Sequence, residues 1–217
     1  MTKEYPDGTV ALADVNLEVE KGEFVVLTGP SGSGKTTLIK LLIREETPTR
    51  GEIFLGDLDV VNLPRNKYQE LRRRVGVVFQ DFKLLPTKNA FENVAFPLEA
   101  AGKTKEEICE TVPEILQMVH LESRAHLFPG QMSGGEKQRL AIARALCFRP
   151  EVFVADEPTG MLDAKATEEL CGIFNGINDL GTTVILATHN EALVKRFGKR
   201  VVVLEKGKIV EDRKIKK

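Results

Sequence analysis

Cysteine is scarce in this 217-residue chain, and its three copies, Cys109, Cys147 and Cys171, stand far apart with no C-x-x-C pair. That spacing argues against a zinc site or a redox dithiol and fits reduced packing thiols in a cytosolic protein. Two of the three histidines, His120 and His126, lie in a polar stretch without metal-ligand spacing, so they read as surface or packing residues. A charge excess is also missing. The formal net charge is -1, which gives no electrostatic reason to invoke a nucleic-acid partner. No apolar run approaches the roughly 18–20 residues needed to span a bilayer. The opening MTKEYPDG lacks the apolar centre of a secretion signal. A cytoplasmic protein is expected, with any membrane attachment made through a partner. Internal repeats and low-complexity linkers are absent too, and the length suits one compact domain over residues 1–217.

Strands and helices alternate along most of the chain. Val10, Leu12, Val15, Leu17 and Val19 give a partial period of two, and FVVLT at 24–28 is a short buried run, so residues 9–28 are predicted as strands. Leu38, Ile39, Leu41 and Leu42 suit a helix ending near Arg44. RGEIFLGDLDV reads as a hairpin turning at Gly56-Asp57. Leu63–Arg74 is predicted helical with Pro64 early in it, and VGVVF at 75–79 as a strand. Residues 81–150 change character and read as a helical lobe. Within it Thr104/Glu107 and Ser133/Glu136 each show the S/T-x-x-E pattern of a capped helix start. Afterwards EVFVAD, a helix from about Ala164, TTVILAT, a helix from about Asn190, and RVVVLEKGKIVED follow in turn. The pattern implies an α/β fold with a mostly parallel sheet and a helical lobe hung on it.

The stretch GPSGSGKT fits G-x-x-x-x-G-K-[ST], between a buried strand and an apolar helix. Gly29, Gly32 and Gly34 let the backbone of Gly29, Pro30, Ser31, Gly32, Ser33, Gly34, Lys35, Thr36 and Thr37 wrap a phosphate at a helix N-terminus. Lys35 supplies a mobile charge for the β- and γ-phosphates of ATP, and the Thr36 hydroxyl suits Mg²⁺. VFVADEP delivers Asp156 to the C-terminal end of a strand, where such sheets bind ligands. Asp156 is expected to hold the Mg²⁺ shell and Glu157 to polarise the attacking water. Gln80 and His189 also follow strands, so both should reach the same edge: Gln80 to touch Mg²⁺ or the water, His189 the γ-phosphate.

A second glycine-rich helix start, MSGGEKQR, has no Lys-Thr pair of its own. Ser133, Gly134, Gly135 and Glu136 form an anion-binding helix start able to clamp a γ-phosphate from the side opposite the first loop. If the two starts lie too far apart within one chain, closure requires a head-to-tail homodimer with two shared ATP sites.

Taken in order, GPSGSGKTT, Gln80, MSGGEKQR, VFVADEPTGMLD and His189 resemble the ABC-type ATPase family over nearly the whole chain. The resemblance implies a P-loop NTPase core with an antiparallel β subdomain and the inserted helical lobe. It implies ATP hydrolysis with Mg²⁺, and a Ser133 start that reads the partner's ATP. Asp163 would couple the two sites at the dimer interface, and Tyr5 would stack on adenine. LLIREETPTRGEI, LRRRVGVVFQDFKLLPTKNAFENVAFPLE and RVVVLEKGKI are further similar to the FtsE branch, the bacterial cell-division ATPases. That branch implies an integral membrane partner, FtsX, which passes ATP-driven motion to cell-wall hydrolases or their activators. The protein would then sit on the inner face of the membrane. The runner-up is the ATPase of a lipoprotein-release or macrolide-type exporter. Met132 and Met161 depart from the commoner family residues, and only four residues precede Tyr5, where the resemblance implies a longer first strand. Within FKLLPTKNAFENVAFPLE, Leu84, Leu85 and Pro86 are expected to be exposed and to line a groove for a helix of the membrane partner. The basic end of the tail reads as a solvated terminus.

Overall fold

The computed structural model describes residues 1–160, 162–197 and 199–214. The reading of Met161, and the last three residues of the basic tail, lie outside them.

Six strands form the central sheet: β3 (Phe24–Thr28), β6 (Val75–Val78), β7 (Val152–Asp156), β8 (Thr183–Ala187), β9 (Arg200–Glu205) and β10 (Lys208–Lys214). Their spatial order is β10-β9-β3-β8-β7-β6, and every pairing is parallel except β10 with β9. The inner strands are apolar along their middles because both faces of the sheet are covered. The period of two divides them between two cores. Phe24, Val26, Phe153, Ala155, Val184 and Leu186 face one core. Val25, Leu27, Val154, Ile185 and Ala187 face the other.

Five helices cover the first face: α3 (Ala90–Ala100), α4 (Lys105–Met118), α5 (Gly134–Leu146), α6 (Ala164–Asp179) and α7 (Glu191–Phe197). Helices α3 to α5 make up the lobe predicted within residues 81–150. The Thr104/Glu107 and Ser133/Glu136 capping boxes both form, and Asn89 with Glu92 makes a third at the start of α3. The second face carries α1 (Lys35–Leu42) and α2 (Tyr68–Arg74). It also carries two small antiparallel pairs, β1 (Lys3–Glu4) with β2 (Val10–Leu12) and β4 (Phe54–Leu55) with β5 (Leu58–Asp59). The Gly56-Asp57 turn lies where the sequence puts it.

The strand reading of residues 9–28 is too generous. Only Val10–Leu12 and Phe24–Thr28 join ladders. Asp14 takes a left-handed backbone (φ 51°) that ends β2. Val15 is buried, and Leu17 and Val19 pack on the second core without strand partners. Of the longer first strand implied ahead of Tyr5, only Lys3–Glu4 pair, as β1. Buried Cys147 has its thiol pushed up to about 12 by burial, which suits a packing residue. Among the described residues no helix is long and apolar enough to cross a membrane.

Candidate active site

The parallel strands β3, β7 and β8 end on one edge, and the loops after them build the site. The turn after β3 is possible only with glycine. At Gly29 (φ 145°) a Cβ would lie 2.0 Å from the Leu204 carbonyl oxygen, and at Gly34 (φ 108°) 2.6 Å from that of Ala11. The loop leads directly into α1, whose dipole adds positive potential at its mouth. Lys35, buried, folds back and donates to the carbonyls of Gly29 (2.8 Å) and Pro30 (3.2 Å).

Thr36 and Asp156 meet across the sheet edge, the threonine hydroxyl donating to Asp156 Oδ2 at 2.7 Å. The other carboxylate oxygen, Oδ1, is buried and has no hydrogen-bond partner among the described residues. Burial pushes the Asp156 carboxyl above its ordinary range. The Thr36 hydroxyl opposes that, and neighbouring Glu157 reinforces it. Glu157 follows in a left-handed conformation (φ 48°), pinned by its N–H to the Ala187 carbonyl at 2.8 Å. Its carboxylate accepts from Thr188 Oγ1 (3.2 Å) and His189 N–H (3.1 Å), contacts His189 Nδ1 at 2.7 Å and lies 3.9 Å from Lys35 Nζ. The His189 side chain is 69% exposed. Gln80 lies two residues beyond β6, exposed, where its Nε2 would sit 3.6 Å from a Cβ on Gly160. Tyr5 follows β1, and its hydroxyl lies 3.5 Å from Thr37 Oγ1, beside the phosphate loop.

The second glycine-rich start is elsewhere. Ser133 caps α5, accepting from Glu136 N–H at 3.3 Å, and Glu136 accepts from Ser133 N–H at 2.8 Å. That backbone bond holds the Glu136 carboxyl below its ordinary range against partial burial, with help from Arg124 and Arg139. Ser133, Gly134 and Gly135 open onto a shallow cleft of about 350 Å³ shared with Asp163, Lys165 and Glu169 at the start of α6. Asp163 is the N-cap of α6, accepting from Ala166 N–H at 2.7 Å. Among the described residues no hydrogen bond or ion pair links Ser133–Glu136 to Gly29–Thr37.

The sequence model of the ABC transporter family matches residues 12–160. The chain belongs to that family. Relatives within it include the "Cell division ATP-binding protein FtsE" of Bacillus subtilis (strain 168), 47% identical over 97% of this chain and 92% of that protein. The protein of that name from Mycobacterium tuberculosis is 46% identical over 98% and 93%. A "Methionine import ATP-binding protein MetN 1" of Pectobacterium atrosepticum is 41% identical over 93% of this chain, which spans 60% of that protein. Among solved structures, a dimeric post-hydrolysis state of the ATP-binding cassette MJ0796, bound to ADP and Pi, superposes with a TM-score of 0.90 at 37% identity. It covers 100% of this chain and 97% of that one. The chain is thus an ABC-type ATPase with the fold of those cassettes.

For an ABC-type ATPase the Thr36–Asp156 pair fits a divalent cation. A hard cation takes oxygen donors, and a buried carboxylate oxygen with no partner is one held ready. The raised Asp156 pKa has a consequence for stability. A carboxyl that titrates higher folded than unfolded favours the fold below its unfolded pKa, and that gain is lost as pH rises through its folded pKa. At neutral pH the charged form is therefore a burden on the nucleotide-free fold. Asp156→Asn, which can still accept from Thr36, is expected to unfold at the same or a higher temperature than the parent at pH 7 while losing Mg²⁺-dependent ATP turnover. A large drop in melting temperature would show instead that the charge supports the fold.

The structure corrects one sequence reading near this site. Pro86 is exposed, but Leu84 and Leu85 are half-buried, and Leu84 packs on the lobe core with Phe82 and Phe91. Within residues 82–99 a large apolar side chain left outside is that of Phe96, 44% exposed. The reason lies in Asn93, fully buried on α3. Its Oδ1 accepts from Leu85 N–H at 2.9 Å, and its Nδ2 donates to the carbonyls of Leu85, Lys88 and Asn89. Those bonds draw the 84–89 segment against the lobe.

Proposed function

We propose that two copies of this chain form an ATP-dependent homodimer that hydrolyses ATP and drives an integral membrane subunit in bacterial cell division. One observation carries the reading. A nearly complete hydrolytic half-site and a separate, capped anion-binding helix start occupy different places in the same chain, so a second copy is needed to bring them together.

In this account the whole chain acts as one nucleotide-binding domain. The backbone N–H groups from Gly29 to Thr37, apart from Pro30, cradle the phosphates, and Lys35 leaves its loop carbonyls for the β- and γ-phosphates. Thr36, Asp156 and Gln80 would hold Mg²⁺, which when bound would neutralise phosphate charge. Glu157 accepts the proton of the attacking water. His189 orients that carboxylate at Nδ1 and reaches the γ-phosphate, while Tyr5 stacks on the adenine. The partner's copies of the Ser133, Gly134, Gly135 and Glu136 segment close the site, and Asp163 couples the two sites across the interface.

The cell-division relatives, similar over nearly their full length, support a membrane subunit of the FtsX kind. Through it the stroke reaches cell-wall hydrolases or their activators, with this chain peripheral on the inner membrane face. The half-buried side chain of Leu85 and exposed Pro86 and Phe96 form the docking edge of the lobe. The test pairs this chain with that subunit in reconstituted membranes. Turnover should rise on pairing, and Leu85→Glu should abolish binding to the subunit while ATP-dependent dimerisation stays near normal. Pairing with a solute importer's or exporter's membrane subunit instead would move the protein to a transport role. Unfolding of Leu85→Glu in isolation would put the docking edge elsewhere.

A further inference from the structure

Lys3 is a buried lysine, 8% exposed, two residues before Tyr5. Its ammonium donates to Glu46 Oε2 at 2.8 Å and to the Thr47 carbonyl at 2.9 Å. Both acceptors lie just past the end of α1, where the N–H groups of Glu45 and Glu46 turn back onto the Lys40 carbonyl. An ammonium has three donors. With two so used, Nζ also sits over the Tyr5 ring, 4.9 Å from the centroid. That distance is within the range of a cation–π contact.

We propose that Lys3 is the base-positioning residue of the nucleotide site. This rests on the reading of Tyr5 as the adenine platform. Lys3 fixes one face of the ring against a cation anchored to the segment that follows α1. The ring's orientation is thereby tied to the same helix that opens at the phosphate loop. Tyr5 is also fixed along its backbone, its N–H donating to the Thr9 carbonyl at 2.9 Å, and by its hydroxyl beside Thr37. A purine would stack on the opposite face, and it would meet a ring already ordered, which lowers the entropy lost on binding. A cation behind the ring also draws electron density from the face the base meets.

The test separates base contact from phosphate contact. Binding of Mg²⁺–ADP and of Mg²⁺–tripolyphosphate is measured by calorimetry on the full chain. Lys3→Met should weaken ADP by about three- to tenfold and leave tripolyphosphate unchanged. Lys3→Arg should retain ADP affinity. Lys3→Gln, which keeps an amide donor for the Glu46 and Thr47 acceptors but removes the cation, should repeat the ADP-selective loss if Lys3→Met does not fold. Tyr5→Ala should weaken ADP at least as much, and adding Lys3→Met to it should change nothing more. Equal weakening of both ligands by Lys3→Met and Lys3→Gln would make Lys3 a pin of the fold and overturn the proposal. So would unchanged ADP affinity in both while Tyr5→Ala is impaired. Unchanged ADP binding by Tyr5→Ala would instead remove the adenine platform itself.

Discussion

Replacing Glu157 by glutamine is expected to keep ATP binding and to lower turnover by about 10²–10⁴-fold, the usual worth of a positioned general base. The substitution preserves size and an acceptor for the contacts that fix this side chain, from Thr188 Oγ1 and the His189 N–H. The left-handed backbone and its bond to Ala187 are also kept. What is lost is the negative charge that takes a proton. Because ATP between two copies would then persist, the variant should elute as a dimer with Mg²⁺–ATP under conditions where the parent returns to monomer. Phosphate release and size-exclusion chromatography read the two effects separately. Turnover at the parent's rate would remove Glu157 from the role of base and leave the carboxylate as an electrostatic partner of Lys35, 3.9 Å away.

Much of this site is legible in the sequence because its signals are local. The phosphate loop is eight residues with a strand before and a helix after, and the capping boxes need only a three-residue spacing. Asn89/Glu92 belongs to the same class: the N-x-x-E pattern stands in the sequence and would have located the start of α3. Two features mislead. The alternation from Val10 to Val19 records which side chains turn inward, and packing on the second core satisfies that without any ladder, as Leu17 and Val19 do. The Phe- and Leu-rich run after Gln80 records hydrophobicity, but the burial of Leu84 depends on Asn93, a polar residue that gains its meaning only when four backbone groups of residues 85–89 surround it.

Other features gain their particular contacts only from the fold. The contact of Thr36 with Asp156 spans 120 residues, and the grouping of Glu157 with Thr188 and His189 depends on β7 lying beside β8 in register. Lys3 carries no sequence signal of its own, since a lysine near a chain start ordinarily reads as a solvated side chain. Burial beside Tyr5, with Glu46 from a distant segment, is what gives it a role.

The two glycine-rich helix starts are expected to belong to different chains within one catalytic site. Lys35→Ala and Ser133→Arg should each abolish turnover as pure proteins. Mixed and allowed to exchange, they form heterodimers in which one site carries both lesions and the other carries none. About half of the dimers then hold one intact site, so activity should return to about a quarter of the parent's. A chain carrying both changes, mixed with the parent, gives heterodimers with one lesion in each site, and these should be inactive. Strict coupling between sites is checked in the same samples by counting trapped nucleotide, with one ATP expected per heterodimer of the two single variants. Recovery in the first mixture and none from the heterodimers of the second is the predicted result. The reverse pattern in activity and trapped ATP would mean that one chain supplies both halves, and would contradict the account.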